Sequence, residues 1–574
     1  MLKACCLILL ILLASCTPKK QNSASNIFNV PLADDIKTLD PARAYDSVSL
    51  SVVPLVHESL YQYNYLKRPF ELEPLLAQNL PQISSDKKTY TIKIKKGVFF
   101  HPHPSLKEPR ELKAQDFIYA WKRICLPQLS SPGTFIFNDK IIGWDKYRSK
   151  IKESSTKENF DQPIEGLTAI DDYTLQIKLL HPYPQLLHAL AMGFTAPLPH
   201  EVLDKEGQDY LITHMVGTGP FVLKSYINGS KLTLEKNNNY RDEKFPTIPD
   251  EFKKFNLDDL AGKSIPFLNQ IQFHIYKEAQ PQWLNFLSGQ IDIAAVPKDN
   301  FDQVISGGEF LSKELQDKGI KLYKYKQALM YWLEYNMQDP VVGKNKKLRE
   351  AISHAIDFDQ FNKKFLNDRG ELVSSLVTSG IEGYDLDPNK IPKFDLSKAK
   401  KLLAEAGFPA GKGLPQIKYD IRGSGSAARQ TAEFLKISLE KIGIKLKIIA
   451  NSFPGYLTKS RKGNLQFSMG GWMADYPDPE NFLLLLSKKN FPPGPNSAQY
   501  YNPKFEDIFQ KIAYMHPSQQ RKDLIRQAES LVLADHPRSM SYQLKSYALY
   551  YEKVRAYFPT GLINNSYKYV NLKQ

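Results

Sequence analysis

The sequence predicts a mixed α/β protein built of more than one compact unit, with parallel strands in its C-terminal half. Three observations predict this. A strand, helix, strand succession runs through residues 416–450, two-residue and helical periodicities alternate through the first half, and 574 residues are too many for one core.

The chain begins MLKACCLILLILLASCTPKKQNSASN, with Lys3 ahead of an apolar run from Ala4 to Leu13 that is too short to span a membrane. Residues 1–15 therefore read as an export signal. Leu13-Ala14-Ser15-Cys16 resembles a bacterial lipobox, which predicts cleavage before Cys16 and a diacylglyceryl group on its sulfur, followed by a polar tether over 16–25. An uncleaved anchor or an ordinary signal is the alternative, and it fits less well because Cys16 closes the apolar run. Two acyl chains would hold the protein stably at a membrane, facing away from the cytoplasm.

A 15-residue leader leaves 559 of the 574 residues, enough for two or three compact units. Of the four cysteines, Cys5 and Cys6 leave with the leader and Cys16 is acylated, so Cys125 has no intrachain partner. It lies in FIYAWKRIC, where Phe117, Ala120, Trp121 and Ile124 share a helical face, and a buried spectator is favoured over a nucleophile. The formal charge of +15 is spread among acids without a long basic block, which argues against nucleic acid and suits solubility or an anionic lipid surface. Aromatics make up 12%, with 31 Tyr, a composition that fits a ligand-lined cleft or, equally, Tyr-rich strands.

Element by element, TYTIKIKKGVFF (89–100) alternates as a strand with one wet face, and a helix follows over 113–125. GTGPFVLKSYINGS marks a tight turn before the strand KLTLEKNNNY (231–240), and residues 265–296 read strand, helix, short strand. LREAISHAIDFDQF (348–361) places Leu348, Ile352, Ala355 and Ile356 on one helical stripe. DLSKAKKLLAEAGF runs from a capping Asp395 to a stop at Gly407. Then QIKYDIRG (416–423), a helix over 427–442 with Thr431, Leu435, Leu439 and Ile442 on one face, and IKLKIIA (444–450) form a βαβ unit with parallel strands. No internal repeat is present.

Past that unit stands GGWMADYPDPENF (470–482), with two acids three residues apart. Asp478-Pro479-Glu480 has the chemistry of a helix start. Asp475 has no such local role. It follows Gly470, Gly471 and Trp472 where ligands collect beyond the carboxyl ends of strands, and it is either a binding carboxylate or a solvated loop acid.

Enzyme signatures are wanting. GSGS (423–426) does not fit a nucleophile elbow, and no H-E-x-x-H, Walker A or G-x-G-x-x-G motif occurs. HPHP sets His101 and His103 two apart between prolines, which suits a surface turn better than a metal site.

Eight segments in order resemble the bacterial extracellular solute-binding proteins of the peptide/nickel class, which serve ABC importers, and most closely the oligopeptide binders. They are TLDPARAYDSVSLSVVPLVHESLY, TYTIKIKKGVFFHP, LKAQDFIYAWKRI, GTGPFVLKSYINGSKLTLEKNNNY, YWLEYNM, LREAISHAIDFDQF, AKKLLAEAGF and GGWMADYPDPENFL. The resemblance implies a bilobal periplasmic-binding-protein-like fold with an inserted domain and a hinge. Mapped here, lobe 1 comprises 26–60, 190–325 and 543–574, the inserted domain 61–189, and lobe 2 326–542.

In that family an Asp of the G-W-x-x-D block pairs with the ligand's N-terminal ammonium, and Asp475 matches it. By the same resemblance Gly471, Trp472 and Met473 line the adjacent wall, and Gly217, Thr218 and Gly219 bring the other lobe's backbone close. Tyr331, Trp332 and Asn336 flank the ligand, and Phe453 completes the set. A monomeric, non-enzymatic receptor without cofactor or metal is implied, handing short peptides to a membrane permease and its ATPase subunits. Two departures stand out: the family's basic residue is Met469 here, and its cysteine pair is Leu329 and Met473. Arg422, Arg429 or Arg461 are the remaining candidates for a ligand carboxylate. The alternatives are a same-family binder of dipeptides, nickel complexes or other small polar solutes, or an exported surface lipoprotein with hydrolytic or adhesive function.

Overall fold

The computed structural model of the chain describes residues 26–107, 109–152, 157–423 and 425–573. The leader, the tether and the lipidation residue Cys16 lie outside the described residues, as does the Phe453 side chain. Among the described residues, no helix is long and apolar enough to cross a membrane.

Three sheets organise the chain. The first has four strands in the order Ile27–Leu32, Gln270–Ile275, Lys231–Lys236, Phe221–Ile227, the first pair parallel and the rest antiparallel. Every second residue of Ile27–Leu32 is buried, so Phe28, Val30 and Leu32 meet Leu232, Leu234, Ile271 and Phe273 in one core. The second sheet orders Gln82–Ile83, Thr89–Lys93, Thr174–Lys178 and Leu167–Asp171. On it lies the helix Ala114–Arg123, whose Trp121 is fully buried beside Trp144. Cys125 sits in this core, and burial pushes its thiol up to about 12, far from thiolate chemistry at neutral pH.

The third sheet carries the chain from one half of the molecule to the other. Its order is Ile293–Ala295, Arg538–Tyr551, Ile320–Tyr335, Phe467–Met473, Ile417–Arg422, Leu446–Asn451, with Gly370–Leu372 also paired to Arg538–Tyr551. Ile417–Arg422 and Leu446–Asn451 are parallel and joined by the helix Ser426–Glu440, the βαβ unit expected from the pattern. That helix packs Ala432, Leu435 and Leu439 with no exposure, and each leucine contributes roughly 1.5–3 kcal/mol by leaving water.

Ile320–Tyr335 and Arg538–Tyr551 are unusually long and serve two cores. Their pairing runs evenly from Ile320–Tyr551 to Lys326–Lys545 and resumes at Met330–Gln543, so four steps on one strand face two on the other. On one side of this bulge Ala548 joins the first core, and on the other Leu333, Tyr335 and Tyr542 join the core of the βαβ unit. A bulge bends and twists a strand pair, and here it lies where the two halves of the molecule meet.

One predicted helix divides. Residues 348–361 form Lys346–Ala355 and Phe358–Phe361, because Ile356 is extended and the Asp357 side chain accepts the Gln360 amide to start a second helix. The predicted ends of the next helix hold: Asp395 accepts the Lys398 amide, and Gly407 adopts φ +93°, which a side chain disfavours.

Candidate functional site

Phe467–Met473 pairs antiparallel with the long strand Ile320–Tyr335, and its two glycines make room for that strand's aromatics. A Cβ on Gly470 would stand 2.3 Å from Trp332 Nε1, and one on Gly471 2.8 Å from the Tyr331 ring. Leu329 and Met473, where the resemblance implied a cysteine pair, are direct register partners. After Met473 the chain leaves the sheet, held by Ala474 N donating to Ala328 O at 2.7 Å beside the bulge.

Asp475 follows at once, oriented by Asn481, which is fully buried. The Asn481 side-chain oxygen accepts the Asp475 amide at 3.0 Å and the Trp472 indole N–H at 2.9 Å, and its amide donates to Asp475 Oδ2 at 3.2 Å. The remaining oxygen, Oδ1, accepts the Tyr45 hydroxyl at 2.7 Å. All these donors are neutral. Burial accordingly raises the Asp475 carboxyl above its ordinary range despite the hydrogen bonds from Tyr45 and Asn481.

Asp475, Gly471, Trp472 and Met473 line a cavity of about 500 Å³, within the ~300–1,000 Å³ usual for small-ligand sites. The facing wall comes from residues distant in sequence, among them Tyr45, His57, Glu58, His188 and Leu562. Glu58 is neutralised from behind: Arg241 grips it bidentately at 2.6 and 2.8 Å, and Tyr240 and Thr218 donate to it at 2.8 and 3.0 Å. The His188 ring lies between Tyr63 (5.9 Å, 25°) and Tyr476 (5.8 Å, 15°), and its Nδ1 is 2.9 Å from the Tyr63 hydroxyl. Burial lowers this imidazole to about 4.

Asp478 parts company with Asp475. It accepts the Glu480 amide at 2.8 Å, as a helix start requires, but both its oxygens also accept from Arg521 Nη2, at 2.7 and 3.0 Å, while Arg521 Nη1 donates to Glu382.

Several expected contacts do other work. Gly217, Thr218 and Gly219 are buried against Val56 and do not line the cavity: a Cβ on Gly217 would meet Val56 O at 2.0 Å, and Gly219 N donates to Val56 O at 2.9 Å. Trp332 lies outside the cavity lining, in the cluster against which Trp472 packs, donating to Glu334 at 2.9 Å under the Arg538 guanidinium. Asn336 donates to Gly463 O and Leu465 O, and accepts from Gln338 and Gln499. Tyr331 stacks on Tyr542 at 5.4 Å, outside the cavity lining. Arg422, over the Tyr456 ring, and Arg429 and Arg461 are exposed and do not line the cavity either. His101 is buried rather than in a surface turn, its Nε2 3.0 Å from Gly219 O, while His103 meets the Tyr210 hydroxyl. Among the described residues no group of three His, Cys, Asp or Glu could hold a metal.

Sequence reasoning missed Tyr45, Glu58, His188 and Asn481. Only Asn481 left a local signal, six residues after Asp475 in the same segment.

Residues 71–492 match the bacterial extracellular solute-binding proteins, family 5 Middle. The dipeptide-binding protein of Escherichia coli K12 is 26% identical over 80% of this chain and 78% of its own. The heme-binding protein A of Haemophilus influenzae is 24% identical over 89% and 86%. Among solved structures, the periplasmic binding protein DppA of Helicobacter pylori in complex with the peptide STSA superposes with a TM-score of 0.74 at 25% identity, covering 96% of this chain and 98% of that one.

Proposed function

The chain belongs to the bacterial extracellular solute-binding proteins, family 5, and we propose that it captures short peptides between its two halves and delivers them to a membrane permease. Relatives named for dipeptides and for heme leave the ligand open, so the site must decide. One observation carries the peptide reading: Asp475 is a carboxylate on the wall of a cavity of about 500 Å³ whose hydrogen-bond donors are all neutral. A buried carboxylate without a cation is costly, and a ligand ammonium supplies that cation with its own hydrogen bonds.

Trp472 and Met473 flank the ammonium end, and the extended peptide lies between the halves, held through its backbone with side chains in the wider space. Lobe 1 (26–60, 190–325, 543–574), the inserted domain (61–189) and lobe 2 (326–542) move about the bulge at 327–329. Tyr45 and Asp475 come from opposite lobes, so a ligand that touches both stabilises the closed arrangement by differential contact. Export through residues 1–15 and acylation of Cys16 keep the receptor beside its permease. It acts by binding, without a catalytic step.

Titration of the purified protein with free and N-acetylated peptides tests this. The amine-bearing peptides bind and acetylation weakens them by at least ~30-fold. Equal affinity for both, or peptide hydrolysis during the titration, refutes it.

A further inference from the structure

We propose that the cavity holds its ligand by one positive end and accommodates no carboxylate, so that the cognate peptide is one whose C-terminus lies beyond the cavity. This rests on the peptide reading above and narrows it to a ligand class.

The charges of the wall carry the inference. Of its two acids, Glu58 is already paired with Arg241, whereas Asp475 meets only the Tyr45 hydroxyl and Asn481. Among the described residues lining the cavity there is no Lys or Arg. Cations behind the wall are committed elsewhere: Lys568 donates to Glu243 at 2.7 Å and to Gln62 at 2.8 Å, Lys95 donates to Leu75 O at 2.7 Å, and Arg241 holds Glu243 as well as Glu58. Burial lowers the two imidazoles of the wall, His57 to about 3 and His188 to about 4, so both are neutral at pH 7. What remains polar is uncharged: serine and tyrosine hydroxyls, Thr560, and the amides of Gln62, Gln327, Asn564 and Asn565. The wall therefore bears one uncompensated negative charge.

A dipeptide with its amine on Asp475 extends at most ~7 Å and leaves its carboxylate within the same enclosed space. There it is desolvated, meets no cation and is repelled by Asp475. Each further residue carries the carboxylate another ~3.5 Å along the chain, toward solvent. Removing the negative charge should thus help the shortest ligands and be indifferent to the longer ones.

Isothermal titration with alanine peptides of two to five residues, each as free acid, C-terminal amide and N-acetyl derivative, reads this directly. Amidation is expected to tighten the dipeptide by about tenfold and to change the pentapeptide by less than about threefold, while acetylation weakens every length. If amidation weakens the di- or tripeptide by about tenfold while acetylation still abolishes binding, the inference is overturned and the peptide reading stands. If acetylated peptides bind as well as free ones, or none binds, both are overturned.

Discussion

The Tyr45 hydroxyl donates to Asp475 Oδ1 at 2.7 Å across 430 residues of sequence. The contact closes the cavity from two sides, and both groups hold their protons more tightly than usual: burial and the neighbouring carboxylate disfavour a phenolate at Tyr45, while burial disfavours the Asp475 carboxylate against the hydrogen bonds it accepts. The neutral hydroxyl supplies no positive charge to the buried carboxylate, which is the place the proposed ligand ammonium would fill.

Asp475→Asn keeps the shape and removes the charge. Peptide affinity falls by ~2–5 kcal/mol, at least about 30-fold, because a buried ammonium loses its counterion. The free protein's melting temperature stays the same or rises, since a raised carboxyl is a charge the fold does not favour. Calorimetry and thermal unfolding check both halves, and an unchanged affinity would remove Asp475 from the site.

Asp478→Asn should behave in the opposite way. Both oxygens of its carboxylate accept from Nη2 of buried Arg521, and removing one partner of a buried pair costs ~3–5 kcal/mol, here moderated by Glu382 on Nη1. Chemical denaturation of this variant should show that loss, with peptide affinity little altered in whatever fraction remains folded.

Tyr45→Phe removes a hydrogen bond to a charged group, worth ~1.5–3 kcal/mol, from the interface between the halves. The ligand-free protein should expand in small-angle scattering, and saturating peptide should restore compactness. A ligand-free radius of gyration identical to that of the parent would show that Tyr45 does not hold the halves together.

Asn481→Ala leaves the Asp475 amide and the Trp472 indole without their acceptor and should cost ~1–3 kcal/mol in denaturant unfolding. Combined with Asp475→Asn the two effects on binding should fall short of their sum, because Asn481 acts by positioning Asp475. Strict additivity would argue that they act independently.

Acid should destabilise the fold through its histidines. Burial lowers His57 to about 3 and His101, His188 and His536 to about 4, so below pH 6.5 the unfolded chain takes up protons that the folded chain refuses. Each group then removes roughly 1.4 kcal/mol per pH unit between 6.5 and its folded value, and none contributes a slope above about pH 7. The raised carboxyls of Asp475, Glu480 and Glu529 oppose this, gaining stability as they protonate in the folded state. Because His57 has no hydrogen-bond partner at either ring nitrogen, His57→Leu should make the acid limb shallower without loss at pH 7.5. A variant that keeps the parent's slope in pH-dependent denaturation would contradict the assignment.

Much of the secondary structure was legible. Period-two alternation announced Thr89–Lys93, Lys231–Lys236 was announced by the turn ahead of it, and the βαβ unit followed from alternation on either side of a helical stripe. The helix over 348–361 was misread as continuous because Asp357 is compatible with a helical face, and only the extended Ile356 before it breaks the run. The resemblance made the glycines of GTGPF a ligand-facing stretch of backbone, whereas the backbone they meet in the structure is that of Val56.

The sequence by itself determined the mixed α/β class, the family resemblance and the prominence of Asp475, since periodicity, turn chemistry and ordered motifs are local properties. It left Asp475 either a binder or a solvated acid. Tertiary structure decided the surroundings: which half supplies Tyr45, that Arg241 silences Glu58, and that Arg521 claims Asp478. Those partners stand 43 to 430 residues away along the chain, and the charge a cavity presents depends on which acids have been neutralised from behind, a property that exists only once distant segments have packed.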